Sequence, residues 1–184
     1  DFHPQYLPET KPYACCEMGG GMMCSVNYHF ILDYKCVDAM ANIKKGSGGN
    51  FVGYYMYQGG TNPLGKHGGF MNEGQVSKVS YDYQAALGEF GQERESYRRL
   101  KSIHSTFSSF ADKICPLKTI APSGQAHIEP IDMETLRYTV RSDGNIGFIF
   151  INNFFNYFVF STVSLIAIFE ITINNCKIIG TMFE

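Results

Sequence analysis

Phe51-Val52-Gly53-Tyr54-Tyr55-Met56-Tyr57 is an apolar run of strand length, closed by Gly59-Gly60. Just upstream, residues 33–45 carry helix signals. Asp33 is a candidate N-cap, Val37, Met40, Ala41 and Lys44 recur on one face, and Gly46 stands at the end. Before that helix, Pro12 to Cys16 is short enough for one buried strand, ending near Glu17. Strand, helix and strand in this order predict a βαβ unit with parallel strands.

Downstream, residues 58–91 read as a long polar loop with eight Gly. A loop of that length in a compact domain usually carries function. From Gln92 to Phe110 the apolar residues Tyr97, Leu100, Ile103, Phe107 and Phe110 recur at three or four, which predicts an amphipathic helix closed by Pro116. Arg94, Glu95, Arg98, Arg99 and Lys101 fall largely off that stripe and are expected to face water. After residue 117 the pattern changes. Leu136 to Arg141 alternates apolar and polar, Ser142-Asp143-Gly144-Asn145 signals a turn, and Ile146 to Ile151 is strand-like again, together a β-hairpin.

The composition excludes several classes. Apolar residues make up 45% and charged residues 17% of the 184, too apolar for a disordered chain. Lys+Arg is 15 against 17 Asp+Glu, so no basic surface is available for a nucleic-acid partner. Six Cys, at 15, 16, 24, 36, 115 and 176, show no CxxC spacing, which argues for free thiols over a zinc site. Nineteen Gly interleaved with twelve Tyr point to backbone brought close to something, with ring faces nearby. Asp1-Phe2-His3-Pro4 is polar, has no signal-peptide apolar region and does not start with Met, so the chain reads as a processed product or a piece of something longer.

The end of the chain has three readings. Between Arg141 and Glu170 the only charged residue is Asp143. The strongest apolar run, Tyr157–Phe169, is too short for the roughly 20 residues of a membrane span, and it contains Ser161, Thr162 and Ser164. A membrane partner is therefore disfavoured, and a buried strand pair suits the length better. The Phe, Ile, Asn, Lys and Tyr that dominate the tail can all be written with codons of A and T alone, as in an out-of-frame or foreign 3′ end.

Three segments could carry chemistry. Gly60-Thr61-Asn62-Pro63-Leu64-Gly65-Lys66 has phosphate-loop spacing after a strand, but His67 stands where a magnesium-binding Ser or Thr is needed, and Gly68-Gly69-Phe70 is a poor helix start. No nucleotide partner is expected. Glu17 ends a short strand and precedes three Gly, which leaves its carboxylate at an open rim. At the C-terminal end of a barrel strand it could attack an anomeric carbon. On spacing alone an ordinary exposed Glu is the plainer account. Tyr54, Tyr55, Tyr57, Tyr81, Asp82 and Tyr83 could stack on sugar faces and bond to hydroxyls, or could pack between sheet and helices.

A resemblance separates these options. Tyr55-Met56-Tyr57-Gln58-Gly59-Gly60-Thr61-Asn62 is similar to the Y-M-[FY]-x-G-G-T-N of family 35 β-galactosidases. Ser80-Tyr81-Asp82-Tyr83-Gln84-Ala85-Ala86-Leu87-Gly88-Glu89-Phe90-Gly91 is similar to their S-Y-D-Y-x-A-x-L-x-E-x-G. The two motifs occur in order, and the resemblance covers about residues 1–153. It implies an α/β fold: the last two β/α units of a (β/α)8 TIM barrel over residues 1–112, the start of a β-domain over 113–153, and an apolar tail of uncertain origin over 154–184. It also implies a retaining β-galactosidase acting on terminal galactosides, with Glu17 as nucleophile and Tyr55 and Tyr83 at the galactose. No metal or organic cofactor is required.

Two departures qualify what the resemblance implies. Family members commonly follow the nucleophile with T-G-W, where this chain has Met18-Gly19-Gly20-Gly21-Met22, so stacking beyond the galactose is in doubt. A barrel takes about 250 residues. The first six strands are missing, and the acid/base Glu with them. Asn72-Glu73 imitates the dipeptide that often carries that acid, but it follows the nucleophile instead of preceding it. The chain alone is expected to be inactive, its N-terminal barrel half belonging to a parent protein. The alternative is a non-catalytic carbohydrate-binding or chain-pairing module. Relatives are often extracellular, periplasmic or lysosomal, and nothing in the sequence fixes the compartment.

Overall fold

The computed structural model describes residues 7, 10–25, 27–28, 30–70, 78–125, 127–152 and 154, together with the backbone of 168–173 and 176–181. The predicted βαβ unit is present. Strand β1 (Ala14–Gly19) and strand β2 (Phe51–Tyr55) pair in parallel, with helix α1 (Lys35–Gly46) between them in sequence. Helix α2 (Glu95–Ser109) runs beside α1, and one turn, α3 (Ala111–Ile114), follows it.

One face of the parallel pair is covered. Met18 is buried with Val37 and Ala41 of α1, Leu100 of α2 and Ala86, and Cys15, Val52, Tyr54, Tyr57 and Tyr97 pack around that cluster. Successive strand residues point to opposite faces. Val52 and Tyr54 therefore face the helices, while Phe51 and Tyr55 look the other way and are exposed.

The structure corrects the helix details. Helix α1 begins two residues after Asp33, whose carboxylate accepts the Lys35 N–H at 2.9 Å. Its covered face is Val37, Ala41 and Lys45, whereas Met40 is exposed and Lys44 is only half-buried, its ammonium 5.8 Å from the Tyr13 ring. Val37 and Ala41 of the expected stripe are buried, and Lys45 takes the place of Lys44 because its stem is long enough to lie along apolar surface. Gly46 ends the helix as expected, and it also lets the β-sheet approach: a Cβ there would lie 2.5 Å from Thr139 Oγ1 and 2.7 Å from the Phe150 Cβ. In α2, Leu100 and Phe107 are buried, but Phe110 falls beyond the helix and is exposed. Arg94 and Arg99 do not simply face water. Arg99 pairs with Asp38 of α1 at 2.8 Å, which raises its pKa, and Arg94 pairs with Asp82 at 2.5 Å.

The predicted hairpin forms β4 (Arg137–Ser142) and β5 (Gly147–Asn152), paired antiparallel with Arg137 opposite Asn152. A third strand, β3 (Lys118–Ile120), lies on the other side of β4. This sheet packs on α1. Asn42 donates to the Ile151 carbonyl at 2.7 Å, and the buried Arg141 guanidinium donates to the Lys45 carbonyl at 3.2 Å and to Asn50 Oδ1 at 2.9 Å. Arg141 spans three segments because a guanidinium presents five donors from one plane.

Strands β6 (Ile168–Ile173) and β7 (Cys176–Thr181) make an antiparallel pair. The rest of Tyr157–Phe169 lies outside the described residues. Among the described residues no helix is long and apolar enough to cross a membrane.

Candidate active site

Glu17 sits on a β-bulge. Cys15 pairs with Val52 and Met18 pairs with Tyr54, so Cys16 and Glu17 together face the single residue Gly53. The extra residue explains why Cys15 and Met18, three apart, both reach the helix side, while Cys16 and Glu17 are exposed on the opposite face. Gly53 is required here: a Cβ would stand 2.4 Å from the Cys16 carbonyl oxygen.

After the bulge, Gly19-Gly20-Gly21 brings the backbone against the two tyrosine segments. Gly19 pairs with Tyr55, the Gly20 N–H donates to the Tyr55 carbonyl at 3.4 Å, and the Met22 N–H donates to the Tyr83 carbonyl at 2.6 Å. Gly21 leaves no room for a Cβ, which would meet that Tyr83 oxygen at 2.3 Å. The close approach expected of the Gly-rich segments is therefore real, and what they approach is protein backbone.

The five tyrosines of these two segments divide by face. Tyr55, Tyr83 and Tyr81 form a continuous ring cluster, with centroids 6.2 Å apart for Tyr55 and Tyr83 and 6.1 Å for Tyr81 and Tyr83. Tyr55 is 40% exposed and Tyr83 is 9% exposed, so the cluster offers one open ring backed by a buried one. Tyr54 and Tyr57 point to the helices instead, their centroids 5.3 Å apart. Burial holds both phenols above their ordinary pKa, with Tyr57 adding to the effect on Tyr54 and Tyr97 to that on Tyr57. For these two, the packing reading is the correct one. The Tyr55–Met56 peptide bond is cis.

The loop carrying Tyr83 is held from three sides. Tyr83 and Gln84 have φ of 56° and 55°, in the left-handed region that costs a non-glycine residue about 1–3 kcal/mol unless its surroundings fix it. Asp82 supplies one fixture. Its Oδ1 accepts from Gln84 N–H at 3.2 Å and from Arg94 at 2.5 Å, and its Oδ2 accepts from Glu89 N–H at 2.8 Å. Arg94 also donates to the Ala85 carbonyl at 2.7 Å. Gln84 supplies the second, accepting the Leu32 N–H at 2.8 Å and donating to the Phe30 carbonyl at 3.0 Å. The third is the other tyrosine segment. Gly59 N–H donates to Leu87 O and Leu87 N–H to Tyr57 O, both at 2.9 Å, and Thr61 Oγ1 donates to Glu89. The two sequence motifs are thus one zipped unit.

Residues 3–107 match the family described as Glycosyl hydrolases family 35, which is more than half of the chain. The chain belongs to glycosyl hydrolase family 35. That membership supports a glycosidase of β-galactosidase-like type. The family 35 chain carries both tyrosine motifs, and Glu17, inside the matched residues.

The sequence singles out Glu17, Tyr55 and Tyr83 as candidates, but not the residues that hold their segments. Gln84 filled a variable position of the motif, and Arg94 was assigned to solvent. Gly53 was the one available signal for the bulge, since a glycine inside a strand often marks one. Glu73 lies outside the described residues. The segment Gly60–Lys66 is occupied with its own closure, Gly65 N–H donating to Gly69 O at 2.7 Å, and no helix starts behind it among the described residues.

Proposed function

We propose that this chain carries the nucleophile side of a retaining exo-glycosidase that removes terminal β-galactose. In this reading residues 1–112 are the last two β/α units of a (β/α)8 barrel, 113–153 open the β-domain that follows, and 154–184 are a separate tail. The open face of β1 and β2, bearing Glu17, Phe51 and Tyr55, is the barrel interior. The observation that carries the reading is the family 35 match over residues 3–107, supported by the bulge that sets Glu17 on an exposed part of β1 and by the ring pair of Tyr55 and Tyr83.

The Glu17 carboxylate attacks the anomeric carbon as the glycosidic C–O bond breaks. A second carboxylic acid, from a part of the barrel outside this chain, protonates the departing oxygen. The galactosyl ester on Glu17 is then cleaved by water, which that second group deprotonates, and Glu17 returns as a carboxylate. Tyr55 lies under the sugar. The Tyr83 phenol reaches both galactose and the nucleophile, and holds the carboxylate in attack geometry.

Extending the reading frame upstream of Asp1 tests this. The extended protein, containing an Asn-Glu pair ahead of the nucleophile, should turn over a chromogenic β-galactoside, and Glu17→Gln in it should remove turnover. An active Glu17→Gln enzyme would dismiss Glu17 as nucleophile. Turnover by the 184-residue chain alone would dismiss the split-site reading, while galactose binding without turnover in an unextendable frame would favour the non-catalytic module.

A further inference from the structure

Helix α1 ends at Gly46, Ser47-Gly48-Gly49-Asn50 follow, and β2 starts at Phe51. Three Gly in this short joint give it wide conformational freedom, so the joint itself does little to set where the next strand begins. The starting point matters. Side chains alternate along a strand, so a slip of β2 by one residue against β1 would exchange the faces of Tyr54 and Tyr55. Among the described residues β1 is the one strand paired with β2, and the bulge at Cys16 and Glu17 interrupts that pairing.

One side chain grips both ends of the joint. From β4, the buried Arg141 donates through Nη1 to the Lys45 carbonyl at 3.2 Å, before the glycines, and through Nη2 to Asn50 Oδ1 at 2.9 Å, after them. The same Nη2 donates to the Cys115 carbonyl at 3.3 Å, and Asn50 Nδ2 donates to that carbonyl at 3.0 Å. The Asn50 amide is thus held by its oxygen and by its nitrogen. Arg141 in turn is fixed within the sheet, opposite Thr119 on one side and Phe148 on the other. The sheet also closes over the middle of the joint: a Cβ at Gly48 would lie 2.9 Å from Thr119 Oγ1.

We propose that Arg141 and Asn50 are positioning residues, through which the β3–β4–β5 sheet fixes the register of β2 and so decides that Tyr55, and not Tyr54, turns away from the helices. A planar fork can hold two ends at once where a single ammonium cannot. The consequence for catalysis, that a residue of the β-domain selects the ring offered to the sugar, rests on the glycosidase reading. The register claim stands apart from it.

Amide hydrogen exchange and ring NOEs in the intact 184-residue chain test the claim. Asn50 is exposed, so Asn50→Ala removes the β2 end of the grip without emptying packed space. Exchange at residues 52–55 should quicken about tenfold or more, while β4 and β5 change by less than about twofold. The Tyr55–Tyr83 and Tyr54–His104 NOEs should weaken together, since both report the register of β2. Arg141→Lys keeps the charge and loses the fork, and should reproduce the β2 effect. Asn42→Ala removes a different bond between sheet and α1, the one to the Ile151 carbonyl, and should leave β2 exchange within about twofold. The proposal is overturned by unchanged β2 exchange in Asn50→Ala, by equal acceleration of every strand and helix, or by an Asn42→Ala effect on β2 as large as that of Asn50→Ala. None of these outcomes depends on sugar turnover, so the glycosidase reading stands or falls separately.

Discussion

Asp82 and Arg94 meet at 2.5 Å across the base of the loop that carries Tyr83. Asp82 accepts the Glu89 N–H, that Arg94 nitrogen and the Gln84 N–H. Asp82→Ala leaves these donors unmatched in a half-buried loop and should cost about 2 kcal/mol in a urea melt of the chain. Arg94→Met removes one arm and should cost about 1 kcal/mol, since both side chains are partly exposed. Equal losses for the two would show that Asp82 acts through Arg94 alone.

Gln84 ties the Tyr83 loop to the segment after β1. In Gln84→Glu the shape is kept but the donor to the Phe30 carbonyl becomes an acceptor, so the two oxygens oppose each other while the Leu32 N–H is still received. Amide exchange should speed up across residues 30–32 and 83–85 by about tenfold or more, equal to about 1.4 kcal/mol of local stability. Exchange confined to Gln84 itself would mean the clamp is not holding the segment.

Gly53→Ala tests the bulge. Its Cβ would press on the Cys16 carbonyl at 2.4 Å, and backbone cannot rotate away as a side chain can. A loss of about 2–3 kcal/mol is expected, with chemical-shift changes concentrated at Cys16, Glu17 and Tyr55. Gly69→Ala, where nothing lies within 4 Å, is the control and should change stability by less than about 1 kcal/mol.

His104 should give the chain a pH dependence above the carboxylate range. Burial lowers its pKa from the ordinary 6.5, and Lys45 adds to this. Below about 6.5 the unfolded chain takes up a proton that the folded chain resists. This contribution is therefore fully present above about pH 6.5 and is lost as pH falls toward the folded-state value. Thermal midpoints between about pH 7.5 and about pH 5 should fall more steeply for the natural chain than for His104→Gln. Parallel profiles would show that the ring titrates normally in the fold.

The parallel βαβ order was readable because short apolar runs, one amphipathic helix and terminal glycines are local features. The hairpin of β4 and β5 was readable for the same reason. The Lys45 burial, the Arg94 and Arg99 pairs and the third strand β3 were not. Each depends on a partner far along the chain, and a charged residue off an apolar stripe looks the same in sequence whether it meets water or a carboxylate. Tyr54 and Tyr55 make the point most sharply. They are adjacent and chemically identical, yet one packs on His104 and the other against Tyr83.

By itself the sequence determined the βαβ segments, the second helix and the β4–β5 hairpin, and it carried the two motifs that resemble family 35. Pattern and motif are properties of neighbours along the chain. Only the tertiary structure decided that Cys16 and Glu17 share one opposing residue, that the two motifs zip together, and that the tyrosines divide between two faces. Those outcomes rest on pairing register and side-chain direction, which are fixed when β1, β2 and the helices pack and are encoded in no single stretch of residues.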